Sequence, residues 1–316
     1  MKSKNIDISY PLLILAPLSN FSDNGMRVLS KKYGADITYT GMISIYNIIK
    51  NDGIDFKILP EERPIAIQIF GKDEELFEKA TLILNNFADI IDINFSCPSK
   101  KILNSESGGF LLKDFEKIKK IIYRVIKVSK VPVSVKIRSG FKKGDKSYEK
   151  IGEICEELDV SYLTIHPRSV TDKFYGDVDI NVTKNLKNRV KIPVVHSGEV
   201  KSYLDAKKIF QETNCDGIMI GREAIGNPWI FSEIKNYLIN GKLPLKVPLD
   251  KKIETIKEHL NILINLYNEQ YAIKQMKIHI PHYLKGYPGI NKLNKLLNGV
   301  KSIKELLNLL TNFRFL

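Results

Sequence analysis

Cysteine is scarce in this 316-residue chain: Cys97, Cys155 and Cys215 are an odd number with no CxxC spacing. Neither a disulfide framework nor a zinc site is indicated, so no metal is expected and a reducing cytoplasm is the natural compartment. Long apolar runs are missing as well. The stretch from Tyr10 to Leu18, behind Lys2 and Lys4, superficially resembles a secretory leader. Asp7 interrupts its approach, Pro11 and Pro17 bracket it, no small-x-small cleavage site follows, and nine residues are too few for a bilayer. No membrane association is expected. Glycine (19) and proline (13) stay at ordinary levels beside 43% hydrophobic and 27% charged residues, a composition unlike collagen, low-complexity or disordered chains. Acidic residues are in deficit, 36 against 49 Lys and Arg, and the resulting +13 favours a polyanionic partner.

What is present is a regular alternation. Eight short runs rich in β-branched and apolar residues recur at 12–16, 37–40, 65–70, 90–94, 133–136, 162–166, 192–196 and 217–220. Between most of them lie stretches with helical periodicity, such as 74–87, 115–128, 148–158 and 204–213, each long enough for a right-handed crossover. Eight β-α units predict a (β/α)₈ barrel, with a doubly wound open sheet as the alternative that periodicity leaves open. Each run ends in polar, Gly or Pro residues, and in a barrel those ends gather at the rim that carries the active site.

After Gly241 the texture changes. Pro244 and Pro248 close the barrel part, and a helical tail without strand signal starts near Asp250. The chain therefore divides into 1–243, the barrel, and 244–316, an all-helical domain. The latter holds 12 Lys and Arg against 5 Asp and Glu, which is +7 of the +13. Charge alone fits either a phosphate-binding surface or a solvated Lys-rich face.

Several run ends could carry chemistry. Ser197-Gly198-Glu199 after the seventh run and Gly221-Arg222 after the eighth match the usual phosphate site of such barrels, where glycine lets backbone amides approach an anion. Lys136 closes the fifth run and His166 the sixth, with Arg168 two residues on. A lysine inside a barrel mouth needs an anionic or carbonyl partner to offset its desolvation, and the N1 and O2 atoms of a flavin would suit it. Gln68, polar within an apolar run, could bond a planar heterocycle or cap a barrel layer.

Cys155 and Cys215 read as small buried hydrophobes, whereas Cys97, in Asn94-Phe95-Ser96-Cys97-Pro98, opens a loop on the catalytic rim. Gly108-Gly109 downstream would give that loop hinge-like freedom. A thiol titrating near 8.5 is mostly protonated at neutral pH and can serve as a general acid, although Lys101 nearby could depress it.

Taken in order, these residues resemble the tRNA-dihydrouridine synthase family. The pattern comprises Ala16-Pro17-Leu18 with Asp23, Asp92-Ile93-Asn94 with Cys97-Pro98 and Lys100-Lys101, and Gly109 with Leu111-Leu112. It continues with Val135-Lys136-Ile137-Arg138, His166-Pro167-Arg168, and Gly221-Arg222 running into Gly226-Asn227-Pro228-Trp229-Ile230-Phe231. In the tail, Lys277 with His279, Tyr283-Leu284-Lys285-Gly286 and Pro288-Gly289 are similar to the family's helical RNA-binding domain.

The resemblance implies that Pro17, Leu18, Ser19, Gln68, Lys136, His166, Ser197, Gly198, Glu199, Gly221 and Arg222 surround tightly bound FMN. It implies Cys97 as proton donor to C5 of a uridine whose C6 receives hydride from flavin N5, with NADPH as reductant. Asn94, Lys101, Arg168, Lys277, His279 and Lys285 would meet tRNA. A monomer is expected on separate grounds, since no strand edge or long apolar heptad asks for a partner. One departure stands out: the family usually has Gly-Asn-Gly-Asp where this chain reads His196-Ser197-Gly198-Glu199, replacing an amide side chain by a hydroxyl. The rival readings are an FMN barrel acting on a free pyrimidine or dihydroorotate, which would not need the basic tail, and a catalytically silent RNA-binding protein, which intact Cys97, Lys136 and His166 argue against.

Overall fold

A computed structural model describes residues 10–50, 56–173 and 175–313. Lys2 and Lys4, which gave the start its likeness to a leader, and Asp7, which argued against one, lie outside them. Among the described residues nine strands run in the order β1 Leu12–Leu15, β2 Thr38–Tyr39, β3 Ile43–Ser44, β4 Ile65–Phe70, β5 Ile90–Phe95, β6 Val133–Arg138, β7 Tyr162–His166, β8 Val194–Ser197 and β9 Gly217–Ile220. Every pairing is parallel, in the ring order β1-β9-β8-β7-β6-β5-β4-β2, while β3 adds to β4 off the ring. A bridge from Ile14 to Ile37 and the bond from the Leu15 amide to the Ile37 carbonyl (2.9 Å) bring the last edge to the first. The barrel is thus closed, and the open-sheet alternative is set aside.

The ends of the runs shift slightly. β6 continues to Arg138, so Lys136 lies inside the strand rather than closing it, and β8 is displaced by one to two residues so that Ser197 is its last member. Helix Phe115–Val128 matches its expected limits. Its Asp114 cap accepts from the Lys117 amide (3.0 Å), and Ile118, Ile121, Ile122 and Val125 form one fully buried face. Each such side chain contributes about 1.5–3 kcal/mol of burial.

Strand alternation sorts the side chains. Ile91, Ile93 and Phe95 of β5 and Val133, Val135 and Ile137 of β6 face the surrounding helices in one large apolar cluster. Their alternates point into the barrel, where the lower interior is filled by Leu12, Ile14, Ile37, Tyr39, Ala66, Ile90 and Tyr162. Above that plug the inward layers turn polar. Gln68, Asp92, Ser134 and Tyr162 are consecutive partners in the register, then Asn94, Lys136 and Thr164, then Arg138 and His166. A polar upper barrel leaves a mouth that water or a ligand must fill.

The tail folds as helices Leu249–Leu266, Glu269–Tyr283, Ile290–Gly299 and Ile303–Thr311. Their shared core takes in Leu29 and Trp229 from the barrel's own helical layer, so apolar packing is continuous across the junction. At that junction Asp23 caps helix Asn24–Lys32 by accepting from the Met26 amide (2.9 Å) and meets two histidines of the tail. His259 Nε2 lies 2.8 Å from Oδ1, and His279 Nε2 lies 2.8 Å from Oδ2. All three are buried. No helix among the described residues is long and apolar enough to cross a membrane.

Candidate active site

The mouth of the barrel encloses a cavity of about 310 Å³. That is within the roughly 300–1,000 Å³ usual for small-molecule and cofactor sites. Pro17, Leu18, Ser19, Gln68, Lys136, His166, Ser197, Gly198, Glu199, Gly221 and Arg222 all line it, joined by Asn94 and Cys97. Sequence positions more than two hundred residues apart meet because strand ends of a closed barrel share one rim.

Lys136 is 8% exposed. Among the described residues its ammonium has neither a hydrogen bond nor an ion pair, and burial, reinforced by Arg138, pushes its pKa down to about 8. Beside it the Thr164 hydroxyl and His166 Nε2 are buried without a hydrogen-bond partner among the described residues. Burial and the cations Lys136, Arg138 and Arg168 hold the His166 ring well below the ordinary histidine range, so it is neutral at pH 7. Such groups are costly to bury unless a ligand satisfies them.

On the opposite lip the backbone turns sharply, with Gly198 at φ 145° and Glu199 at φ 51°. Among the described residues the amides of Gly198 and Glu199 donate to no acceptor, as in an anion-binding nest. Buried His196 bridges this turn, bonding the Gly198 carbonyl through Nε2 (3.0 Å) and the Thr183 hydroxyl through Nδ1 (2.8 Å). The Glu199 carboxylate is surrounded by Arg168 (2.9 Å), Lys201 (2.6 Å) and Arg222 (3.3 Å). Lys201 most, and then Arg168, hold it below the usual carboxylate range, and with Arg222 the three cations leave the turn net positive.

Cys97 sits half-buried on the rim and is a free thiol. Burial pushes its thiol up, opposed by the Ser99 amide and by Arg138 and Lys136. The protonated form therefore dominates at neutral pH. Lys101, placed above as a possible depressant, stands on the exposed helix Lys100–Asn104 and lines no part of the cavity. Gly108-Gly109 is a correction of another kind. A Cβ on Gly109 would lie 2.6 Å from Val170 Cγ2, and the Gly109 amide donates to the Cys97 carbonyl (3.1 Å). The pair provides close packing under the cysteine, not a hinge.

Arg138, unassigned from sequence although it follows Lys136 at the strand period of two, donates Nε to the Ser96 carbonyl (2.9 Å) and Nη1 to the Ser169 carbonyl (2.8 Å). It ties the cysteine loop to the loop after β7. Met42, Lys201 and Met219 also line the cavity. They come from loops and a strand whose composition carries no distinguishing signal.

The expected RNA-contacting residues separate. A cleft of about 1,200 Å³ continues from the cavity toward the tail, shares Glu199, Lys201, Arg222 and Glu223 with it, and contains Arg168 and Lys285 together with Lys246, Lys252, Tyr175 and Tyr287. Lys101 and Lys277 lie outside it, and the Lys277 ammonium donates to the Asn298 carbonyl (3.1 Å). His279 is a correction: it is fully buried against Asp23 and presents nothing to an RNA. The Asp23, His259 and His279 atoms are also of metal-ligand type. Their 2.8 Å spacings are those of direct contact, shorter than the roughly 3.3 Å between ligands in a tetrahedral zinc shell.

Comparison with known proteins bears on this geometry directly. The family model described as dihydrouridine synthase (Dus) matches residues 14–315. A "probable tRNA-dihydrouridine synthase" of Aquifex aeolicus is 34% identical over 302 residues, covering 93% of each chain. "tRNA-dihydrouridine synthase B" of Escherichia coli is 30% identical and covers 94% of each. Among solved structures, an amine oxidase for 6-hydroxypseudooxynicotine from Pseudomonas geniculata superposes on 75% of this chain and 49% of its own with TM-score 0.55 at 10% identity. A variant of NCR from Zymomonas mobilis covers 76% of this chain and 90% of its own with TM-score 0.50 at 14% identity. These two structures share the barrel fold. With the family match running through the whole barrel and into the tail, the chain belongs to the dihydrouridine synthase family.

Proposed function

We propose that this protein is an FMN-dependent, NADPH-driven tRNA-dihydrouridine synthase that saturates the C5–C6 bond of a uridine in tRNA. The observation that carries the reading is a cofactor-sized mouth in which, among the described residues, the Lys136 ammonium and buried His166 Nε2 have no bonded partner opposite the unpaired amides of Gly198 and Glu199, with a protonated cysteine on the rim. The donor set fits FMN: the turn at Gly198 and Glu199, with Arg222 and Lys201, would take the phosphate. Lys136 would face the electron-rich edge of the ring, and Gln68 and His166 would supply neighbouring hydrogen bonds. When bound, FMN relays hydride from NADPH to C6 of the uracil ring. Cys97 holds the proton that C5 requires and regains it from solvent after release. Asn94, at the same mouth, would hydrogen-bond the base.

In this reading residues 1–243 form the FMN domain and 244–316 the tRNA-binding domain, acting as a monomer in the cytoplasm. The cleft carrying Lys246, Lys252 and Lys285 would receive phosphates, and those contacts would offset the few kcal/mol needed to unstack the target base. Purified protein should be yellow with about one FMN per chain, be reduced by NADPH without RNA, and be reoxidised by tRNA lacking dihydrouridine but not by free uridine. Colourless protein that takes up no FMN would sink the cofactor assignment. Reoxidation by a free pyrimidine in preference to tRNA would move the chain to the rival enzyme class.

A further inference from the structure

Beneath the cavity lies a buried carboxylate that the reaction described above does not use. Asp92 is 0% exposed in the middle of β5. Its Oδ1 accepts from the Ser134 hydroxyl (2.6 Å) and the Tyr39 hydroxyl (3.2 Å), and its Oδ2 accepts from Gln68 Nε2 (2.8 Å). Gln68 Oε1 in turn accepts from Asn94 Nδ2 (2.8 Å). Asn94 Oδ1 accepts from the amides of Ser96 (2.9 Å) and Cys97 (3.0 Å).

This chain can run in only one direction. Backbone amides only donate, so Asn94 must turn its oxygen toward Ser96 and Cys97. Its nitrogen can then only donate to the Gln68 oxygen, and the Gln68 nitrogen must find an acceptor below. Asp92 Oδ2 is that acceptor. Reversing either amide would set donor against donor inside a dry barrel, at the cost of an unsatisfied buried group.

Resting on the reading of Cys97 as the proton donor of an FMN enzyme, we propose that Asp92 is a positioning residue. Its carboxylate fixes the orientation of the Gln68 and Asn94 amides, and through them the turn that carries the Cys97 thiol and the face that both amides present to flavin and base. The groups facing Asp92 are Tyr39 from β2, Gln68 from β4, Ser134 and Lys136 from β6, and Tyr162 from β7. Burial in that company raises its pKa to about 6, with the hydrogen bonds from Ser134 and Gln68 and the charge of Lys136 opposing the rise. At neutral pH it is mostly ionised and accepts at both oxygens. On acidification Oδ1 can carry the proton and donate it to the two hydroxyls while Oδ2 still accepts from Gln68, so the chain keeps its direction.

Two variants separate positioning from mere packing. Asp92→Asn can keep its oxygen toward Gln68 and turn its nitrogen to the two hydroxyls, which are able to accept, so the chain survives without a titratable end. Asp92→Leu removes the acceptor. Reoxidation of the reduced flavin by tRNA should fall on the order of 10²-fold in Asp92→Leu, the cost of a misplaced reacting group, and recover to within about three-fold of wild type in Asp92→Asn. Protonated Asp92 presents the same acceptor to Gln68 as Asp92→Asn does, so neither protein should show a fall in rate assignable to this residue as pH drops through about 6. A second readout needs no flavin. Alkylation of Cys97 by iodoacetamide in stripped protein should be several-fold faster in Asp92→Leu, whose turn is released, and unchanged in Asp92→Asn.

Wild-type alkylation rates and reoxidation in Asp92→Leu would overturn the proposal. So would a loss on the order of 10²-fold in folded Asp92→Asn, whose oxygen still faces Gln68, and that result is decisive even where the leucine variant does not fold. Failure of the underlying FMN reading shows separately, as wild-type protein that binds no flavin or is not reoxidised by tRNA.

Discussion

Replacing Lys136 by methionine should make the flavin-free protein more stable while disabling it. Among the described residues no carboxylate or carbonyl is bound to the buried ammonium, and burial lowers its pKa from 10.5 to about 8. A drop of that size corresponds to roughly 3 kcal/mol of penalty on the charged form in the folded state. The sign follows from proton counting. Below pH 8 both folded and unfolded chains carry the charge and the folded chain bears the full penalty. Between 8 and 10.5 the unfolded chain binds more protons, so stability rises with pH. Lys136→Met keeps the length of the side chain and removes the charge, so urea unfolding of stripped protein at pH 7 should show a gain of up to about 3 kcal/mol and no rise between pH 8 and 10.5. FMN affinity should drop on the order of 10²-fold, since the ligand loses a charge-assisted contact of about 1.5–3 kcal/mol. A less stable stripped Lys136→Met protein would refute the reasoning, because it would mean that the ammonium is already satisfied without the flavin.

Other outcomes follow from the same geometry. Cys97→Ala should leave flavin content and NADPH-driven reduction close to wild type while slowing reoxidation by tRNA about 10²–10⁴-fold, as read by stopped-flow absorbance; failure of the first step instead would make Cys97 structural. Lys246→Ala with Lys285→Ala should weaken tRNA binding and lower the slope of log affinity against log salt by about 0.7 to 0.9 per lost phosphate contact, whereas Lys277→Ala, outside the cleft, should change neither. Asp23→Ala should cost about 3–5 kcal/mol in denaturant titration, because it strands His259, His279 and a helix cap at once. Folded Asp23 is held below its unfolded value of 3.8, so that contribution is complete above pH 4 and fades as pH falls further, and the variant's deficit should shrink with it.

Much of the barrel was legible because its signal is local. Alternating runs such as Val133-Ser134-Val135-Lys136-Ile137-Arg138 state a strand, its two faces and the polarity of the inner one. The turns at Gly198 and Gly221, which we propose for the phosphate, were legible as glycines at the ends of neighbouring runs. What escaped was set by register and by helix phase. Asp92, Gln68 and Ser134 meet only because β4, β5 and β6 align in one row, a relation that no segment contains by itself. Lys277 and His279, two residues apart on helix Glu269–Tyr283, lie about 200° apart around its axis, so one reaches solvent and the other is buried against Asp23. A motif shared by both cannot give both the same role. The basic tail likewise divides: Lys285 faces the cleft and Lys277 does not, a distinction invisible to net charge.

The central claim, that this cavity reduces uridine within tRNA, is tested most directly by nucleoside mass analysis of tRNA from a strain lacking the gene. The same analysis would follow return of wild-type protein, Cys97→Ala or Lys136→Met. The account predicts loss of dihydrouridine at one or more positions in the deletion strain, full restoration by wild type, and little restoration by either variant despite normal protein levels. Unchanged dihydrouridine in the deletion strain with no other dihydrouridine synthase present, or full restoration by Cys97→Ala, would contradict it.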